Sequence, residues 1–336
     1  MCTAILNRTG VPLVGRTLDL ECSYGEDVVI IGRHYISRPL FGHTLDRHFA
    51  ILGMATVRHG TPLLYDAVNE RGLCMAALHF PRSAVYHTPK PDKLNIPSYA
   101  LISHILGHCD SVASARRLLL DTNVTQQSFS PELPASSLHW LIADRTGAIV
   151  AEPLADGLQL HDAPLGVLTN EPPFPFHEAH VTQYLALGPY SPPNSLCPTV
   201  PLFPYARGFG GMGLPGDYSS PSRFVRAVFA QAHTVHGETR QEETRRMMDV
   251  LGAVSVPAGC VRTERGEAVR TVYQAVMELD DMTYHVRSYR DDTPCRIHAD
   301  TALIESSRLL RVPVLSPPSR DEPMCSSSGI RRTPLR

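Results

Sequence analysis

With 336 residues, 43% hydrophobic and 19% charged, the chain has enough apolar material for a large core and the polarity of a globular protein. Its 31 basic and 33 acidic side chains nearly cancel and are dispersed, which leaves no basic stripe for nucleic acid. No run approaches the ~20 apolar residues of a membrane-spanning helix, so neither nucleic acid nor membrane is expected as a partner.

Met1-Cys2-Thr3 opens with no basic segment and no long apolar run, so a cleaved secretory start is not expected. Residues 3–6 and 12–15 flank Asn7-Arg8-Thr9-Gly10, a turn-forming tetrapeptide, and predict a hairpin. Residues 28–31, 50–57, 63–65 and 73–80 read as further strands, the last introduced by the turn Glu70-Arg71-Gly72. Helical spacing follows at 98–108 and 110–120, with Asp110 as the predicted N-cap of the second helix. A second hairpin is predicted from 138–143 and 148–152 across Asp144-Arg145-Thr146-Gly147, then a short strand at 166–169 that ends at Asn170. Residues 186–217, rich in Pro and Gly, read as a long excursion of functional or interfacial kind. Ser220-Pro221 predicts a helix start, with Ser220 as N-cap and Phe224, Val225, Val228 and Phe229 on one face. A charged amphipathic helix over 239–251 ends at Gly252, and residues 271–279 and 283–289 form a last hairpin across Asp280-Asp281. From about residue 312 Pro, Ser and Arg replace the periodic pattern, and a mobile tail over 312–336 is expected. Strand-rich blocks alternating with helical ones indicate an α+β fold in which helices cover a sandwich of sheets.

The eight cysteines, at positions 2, 22, 74, 109, 197, 260, 295 and 325, lie far apart and form no CxxC pair. That spacing argues against a zinc ribbon and a disulfide scaffold, and a reducing cytoplasm is the expected address. His177-Glu178-Ala179-His180 lacks the i,i+4 spacing of HExxH, so no metal is expected. The run from Gly208 to Gly213 matches GxGxxG formally, but no strand precedes it and Pro215 stands where a helix would open. Dinucleotide binding is therefore not expected.

Cys2 is the informative position. Removal of Met1 would give it both a thiol and a free α-amine. The thiolate is the nucleophile and a free thiol titrates near ~8.5; an α-amine, at ~7.7–8.0, accepts a proton readily near neutrality. One residue would then supply nucleophile and base, as a Thr with an N-terminal amine does; the plain alternative is a small residue following an initiator Met. If the hairpin turn centres between Arg8 and Thr9, Cys2 lies opposite Gly15, with Arg16 diagonally beside it and Asp19 three residues on. A guanidinium there favours the thiolate, and Asp19 would hold the α-amine by a charge-assisted hydrogen bond. Alternatively the two form an exposed pair worth ~0–1 kcal/mol. Arg223 falls in the first turn of its helix, where the dipole disfavours a cation. A carboxylate from Asp217, Asp19 or a substrate would offset that, unless the side chain is simply exposed. Asn170, at a strand tip before Pro172-Pro173, carries the N–H donor type that an oxyanion hole uses, or else ends the strand as a turn residue.

Several segments, in one order, carry a resemblance to a known family. They are Met1-Cys2-Thr3, Gly15-Arg16-Thr17-Leu18-Asp19, Ser23-Tyr24-Gly25-Glu26, Asn69-Glu70-Arg71-Gly72-Leu73, Leu138-His139-Trp140, Val167-Leu168-Thr169-Asn170 and the stretch from Gly213 to Arg226. Together they span residue 1 to about 310, and they resemble the choloylglycine (conjugated bile acid) hydrolases and their relatives, the penicillin V acylases. These are N-terminal-nucleophile hydrolases of linear amides.

The resemblance implies a four-layer αββα sandwich forming a single domain over 1–311, with 186–217 as the assembly loop of a homotetramer. It implies hydrolysis of the amide bond of glycine- or taurine-conjugated bile acids, small-molecule substrates, without a cofactor. It also implies roles: Cys2 as nucleophile with its α-amine as proton acceptor, Arg16 steadying the thiolate, Asp19 holding the α-amine, Asn170 donating to the oxyanion, and Arg223 organising the site. His79, in Ala77-Leu78-His79-Phe80-Pro81, departs from the pattern, since the bile-acid branch usually has Asn at this oxyanion-adjacent position and the penicillin branch Tyr. Its backbone N–H survives, while its side chain is expected to alter carbonyl contacts, pH response or substrate preference. Residues 219–226 side with the bile-acid branch. The alternatives are an acylase for penicillin V or N-acyl homoserine lactones, a transferase passing the acyl group to an amine, and a non-catalytic bile-acid-binding homologue.

Overall fold

A hairpin of β1 (Cys2–Asn7) and β2 (Leu13–Leu20) opens the chain, and both strands run further than the sequence predicts. Their register also differs: Cys2 pairs with Leu18, Ala4 with Arg16 and Ile5 with Gly15. Pro12 has no N–H to give a ladder, so the connection extends through it and the pairing shifts. Cys2 thus lies opposite Leu18 rather than Gly15, yet Arg16 keeps its diagonal place. The computed structural model describes residues 1–36, 47–289 and 293–314; the expected tail lies outside them from residue 315 on, and Val312 ends a strand.

The next strands, β3 (Asp27–Ile31), β4 (Ile51–Arg58), β5 (Thr61–Asn69) and β6 (Cys74–His79), are successive antiparallel neighbours. A short parallel pair, β7 (Leu94–Pro97) and β8 (Thr122–Thr125), brackets α1 (Leu101–His108) and α2 (Val112–Leu120). Ser111 caps α2 in place of the predicted Asp110. Its hydroxyl and that of Ser114 form a reciprocal capping box, and Asp110 accepts from both.

A meander of β9 (Leu138–Asp144), β10 (Gly147–Leu154) and β11 (Gly157–Asp162) leads to the two-residue β12 (Val167–Leu168). The following helix, α3 (Phe174–Val181), escapes a reading by periodicity because its apolar residues form no stripe. Residues 186–217 contain neither helix nor strand beyond a single 3-10 turn, Phe209–Gly211. Then come α4 (Ser220–His233), α5 (Arg240–Gly252), β13 (Val261–Arg262), β14 (Ala268–Glu278), β15 (Thr283–Ser288), β16 (Cys295–His298), α6 (Thr301–Ile304) and β17 (Leu309–Val312).

The strands make two large sheets. One has the order β12-β1-β2-β14-β15-β16 with β13 beside β14, and the other β11-β10-β9-β6-β5-β4-β3-β17. One buried apolar cluster fills the space between the sheets and continues under α4 and α5, while a second lies under α1 and α2. The result is the expected α+β sandwich with four layers. Both faces of β1 and β2 are covered, which explains why their sequences read as nearly continuous burial rather than strict alternation. α5 crosses β2 so closely that a Cβ on Gly15 would sit 2.7 Å from the Met247 sulfur.

Among the described residues no helix is long and apolar enough to cross a membrane, and no group of three or more His, Cys, Asp or Glu side chains is arranged to hold a metal. Among the described residues six cysteines (2, 74, 109, 197, 260 and 295) are free thiols, whereas Cys22 is disulfide-bonded, a bond that the spacing of the cysteines does not foreshadow.

Candidate active site

Strand pairing sets the geometry around Cys2. Opposed residues share a face, so Cys2, Leu18, Ala4 and Arg16 point between the sheets, while Thr3, Thr17 and Asp19 point toward the helices. Cys2 is buried, and Arg16 Nη2 lies 3.7 Å from its Sγ. The same nitrogen donates to the Ala77 carbonyl at 2.9 Å, and Nη1 donates to Asp66 Oδ2 at 2.7 Å and to the Tyr273 hydroxyl. Asp66 is saturated in turn, accepting from the Tyr273 hydroxyl at 2.6 Å and the Tyr284 hydroxyl at 2.5 Å. Burial by itself would lower the Arg16 pKa, but Tyr273, Cys2, Asp66 and Tyr284 outweigh it and raise it above the ordinary arginine value. A fixed cation therefore faces the sulfur.

Asp19 lies on the other face of the same strand. Its carboxylate accepts from Thr271 Oγ1 at 2.6 Å and from Thr17 Oγ1 at 3.3 Å. The Cys2 nitrogen, a peptide N–H while Met1 is attached, donates to Asn170 Oδ1 at 2.9 Å instead. The Asp19 backbone still meets the chain start: its N–H donates to the Met1 carbonyl at 2.9 Å, and the Met1 amine donates to its carbonyl at 2.6 Å. A bulge in β14 serves both faces. Thr271 pairs with Asp19 while Tyr273 pairs with Leu18, so one extra residue aims a threonine at Asp19 and a tyrosine at Asp66.

Arg223, in the first turn of α4, is fully buried. Its Nη1 donates to the Cys2 carbonyl at 2.6 Å and to Thr3 Oγ1 at 2.7 Å, its Nη2 to Asn170 Oδ1 at 2.6 Å, and its Nε to the Tyr218 carbonyl at 3.1 Å. None of these acceptors is a carboxylate. Asp217 instead accepts from Ser219 N and Ser222 Oγ, and Asp19 reaches Arg223 only through its field. Burial pulls the Arg223 pKa below the ordinary arginine value, with Asp19 and Cys2 opposing.

Two donors on Asn170 Oδ1 fix the orientation of that amide, which leaves Nδ2 to donate to the His79 carbonyl at 2.8 Å. The Asn170 backbone N–H donates to Ser220 Oγ at 2.8 Å, and that hydroxyl donates to Thr169 Oγ1 at 2.8 Å. This bond is possible because Ser219, not the predicted Ser220, is the N-cap of α4. Ser220 is then the first helical residue, and its hydroxyl is free to reach the strand tip. His79 closes β6 with an exposed outer edge. Protein packed around its inner side pushes the imidazole down to about 4, helped by the positive charge of the amino terminus and by His139, against Glu171.

The structure thus gathers Cys2, Arg16, Asp19, Asn170, Arg223 and His79 in one place, with Asp19 turned to the helix side. Asp66, Tyr273 and Tyr284 escape the sequence reading. One signal was available for Asp66, a lone carboxylate inside the otherwise apolar 63–68 strand, which requires a buried partner. Nothing local marks the tyrosines, because the bulge that aims Tyr273 exists only in the paired sheet.

Known proteins share this arrangement of the chain. The sequence profile of the linear amide C-N hydrolases, choloylglycine hydrolase family, matches residues 2–305. A bile salt hydrolase/transferase of Lactiplantibacillus plantarum is 36% identical over 318 residues, covering 94% of this chain and 98% of that protein. A bile salt hydrolase/transferase of Clostridium perfringens is 31% identical, covering 87% and 90%. Among solved structures, a mutant conjugated bile acid hydrolase from Clostridium perfringens superposes with a TM-score of 0.86 at 28% identity, covering 96% of this chain and all of that one. The penicillin V acylase of Agrobacterium tumefaciens, at 18% identity and a TM-score of 0.70, shares the fold over 89% of this chain and 86% of that one. Matched along nearly its whole length, the chain belongs to the choloylglycine hydrolase family of linear amide C–N hydrolases.

Proposed function

We propose that the chain, once Met1 is removed, hydrolyses the amide bond of glycine- or taurine-conjugated bile acids through an acyl-Cys2 intermediate. The carrying observation is the convergence on Cys2 of a buried guanidinium at its sulfur and an oriented asparagine at its nitrogen. With Met1 attached, that nitrogen is an amide and cannot act as a base. Freed, the α-amine takes the thiol proton as Sγ attacks the substrate carbonyl, and hands it to the departing nitrogen of glycine or taurine. Water then attacks the thioester, the same amine accepts its proton, and the bile acid leaves with Cys2 restored.

In this reading Arg16 steadies the thiolate, and Arg223 organises the site by tying the Cys2 carbonyl to Asn170. The Asn170 Nδ2 and the His79 backbone N–H donate to the oxyanion. Asp19 holds the α-amine, supported by the contact of its backbone with the chain start. The bile acid as substrate is supported by the names of the relatives, two of which are called hydrolase/transferase. That wording also favours a second outcome, passage of the acyl group from Cys2 to an amine in place of water. A homotetramer built on residues 186–217 is supported by the apolar side chains exposed there, including Tyr190, Leu196, Phe203 and Tyr205. A single domain over 1–311 and a cytoplasmic address complete the proposal.

Wild-type protein is expected to begin at Cys2 by intact mass and to release glycine from glycocholate faster than it cleaves the side-chain amide of penicillin V. Cys2→Ala is expected to abolish release. Turnover at the wild-type rate in that variant would sink the mechanism, and a strong penicillin V preference would overturn the substrate.

A further inference from the structure

Asn170 is gripped from behind. The Thr169 carbonyl faces His139 Nε2 at 3.0 Å, and the Asn170 carbonyl faces His177 Nε2 at 2.9 Å. Two histidines from different elements, β9 and α3, thus hold the consecutive carbonyls on either side of the Asn170 nitrogen. His139 is fully buried and lies flat on Phe80, with ring centroids 4.2 Å apart and planes 6° from parallel. Phe80 follows His79, whose carbonyl accepts from the Asn170 side chain.

The His139 ring has an acceptor on each nitrogen. Opposite the Thr169 carbonyl, Nδ1 lies 3.0 Å from Glu152 Oε1. Glu152 is buried on β10, and its two oxygens accept from the Phe174 N–H at 3.1 and 3.0 Å, at the start of α3. Both oxygens are thus used as acceptors, as in a carboxylate facing the start of a helix. A carbonyl and a carboxylate can only accept, so the imidazole between them completes both bonds only with an N–H on each nitrogen. The other titratable groups around the pair are His161 on β11, 3.8 Å from Glu152, with His177 on α3 and His79 at the end of β6.

We propose that His139, carrying both ring N–H groups and paired with Glu152, is a positioning residue for the reaction. It fixes the Thr169 carbonyl and, with His177 on the next carbonyl, sets the Asn170 amide against Cys2. It touches neither the thiol nor the substrate, and it acts through the Thr169–Asn170 backbone. The proposal rests on the reading of Cys2 as nucleophile and Asn170 as its companion.

Glu152→Gln keeps the shape but removes the charge that retains the second N–H; its amide then donates to a neutral Nδ1, and the Thr169 carbonyl loses its charge-assisted donor for a weaker neutral one. With glycocholate, kcat is expected to fall roughly tenfold to a hundredfold as Asn170 drifts from its place, while KM changes by less than about twofold. Alkylation of Cys2 by iodoacetamide keeps its wild-type rate, because the thiol and Arg16 are untouched. A folded variant with unchanged kcat, or with only a raised KM, overturns the proposal. A second measurement uses wild-type protein labelled with 15N-histidine, the His139 ring being assigned through its contacts with Phe80. Both ring nitrogens are expected to be protonated at neutral pH. A bare nitrogen overturns the proposal, and this spectrum decides alone if Glu152→Gln fails to fold. Because it needs no turnover, it is read separately from the hydrolase assignment, which fails if the wild type leaves glycocholate intact.

Discussion

Asp66 makes no contact with Cys2, yet it determines where Arg16 points. The guanidinium is buried and its direct ion-pair partner is Asp66, so Asp66→Ala leaves an uncompensated charge between the sheets. Breaking such a pair costs about 3–5 kcal/mol, and urea denaturation at neutral pH is expected to show a loss of that order. A loss below about 1 kcal/mol would mean that Arg16 swings out to water. His79 carries the second prediction at this scale. Its folded pKa, about 4, lies below the ordinary histidine value of ~6.5. The unfolded chain therefore binds the proton more tightly, so the ring's contribution to stability is complete above ~6.5 and is lost as pH falls through 4. An NMR titration should place its midpoint near 4, and His79→Asn should make the acid limb of the stability profile shallower. A His79 midpoint at the ordinary value would contradict the crowding that the structure shows.

Among elements, the start of α4 shows how one residue of helix phase changes the site. Pro221 favours Ser220 as the cap, because proline prefers the first helical position, yet the helix begins one residue earlier and the neighbouring serine, Ser219, takes that role. In the folded chain Ser219 takes the capping bond to Ser222, and Ser220 turns to Asn170 and Thr169. The two roles separate by mutation. Ser219→Ala is expected to cost roughly 0.5–2 kcal/mol of stability, the usual worth of a cap, with kcat retained. Ser220→Ala is expected to lower kcat more than it lowers the melting temperature, because it releases the Asn170 nitrogen. Reversed results from paired thermal melts and steady-state assays would assign the cap to Ser220. The first hairpin makes the same point. Its existence and the diagonal placing of Arg16 were legible from Asn7-Arg8-Thr9-Gly10 and the flanking apolar residues, whereas its register was not. Strand parity puts Asp19, three residues from Arg16, on the opposite face of β2, but which face meets the helices was decided only by the packing.

Across the whole molecule, the largest departure from a covered surface is the excursion at 186–217. Tyr190, Leu196, Phe203 and Tyr205 are 84–93% exposed there, far more apolar surface than one segment of a lone chain usually shows. If copies of the chain assemble through it, Phe203→Asp with Tyr205→Asp should reduce the mass found by light scattering from that of a tetramer to a smaller species. A wild-type protein that runs as a monomer at micromolar concentration would remove the assembly reading. The composition of this segment was plain in the sequence, and so was its lack of regular structure, since Pro and Gly oppose both helix and strand. α3 was not, because its apolar residues are spread around a short helix in which only Phe174 and His177 are buried, so no single apolar stripe shows.

By itself the sequence determined the strand and helix blocks, the α+β class, the position of the nucleophile candidate and five residues to stand near it. These follow from local properties: turn chemistry, periodicity, the pKa of a thiol beside an α-amine, and ordered segments that resemble one family. Only the tertiary structure decided the hairpin register, the two faces of β2, the bulge that aims Tyr273 at Asp66, and the histidines behind Asn170. Each depends on which strand lies alongside which, and that pairing is settled by burial on both faces of the sheets.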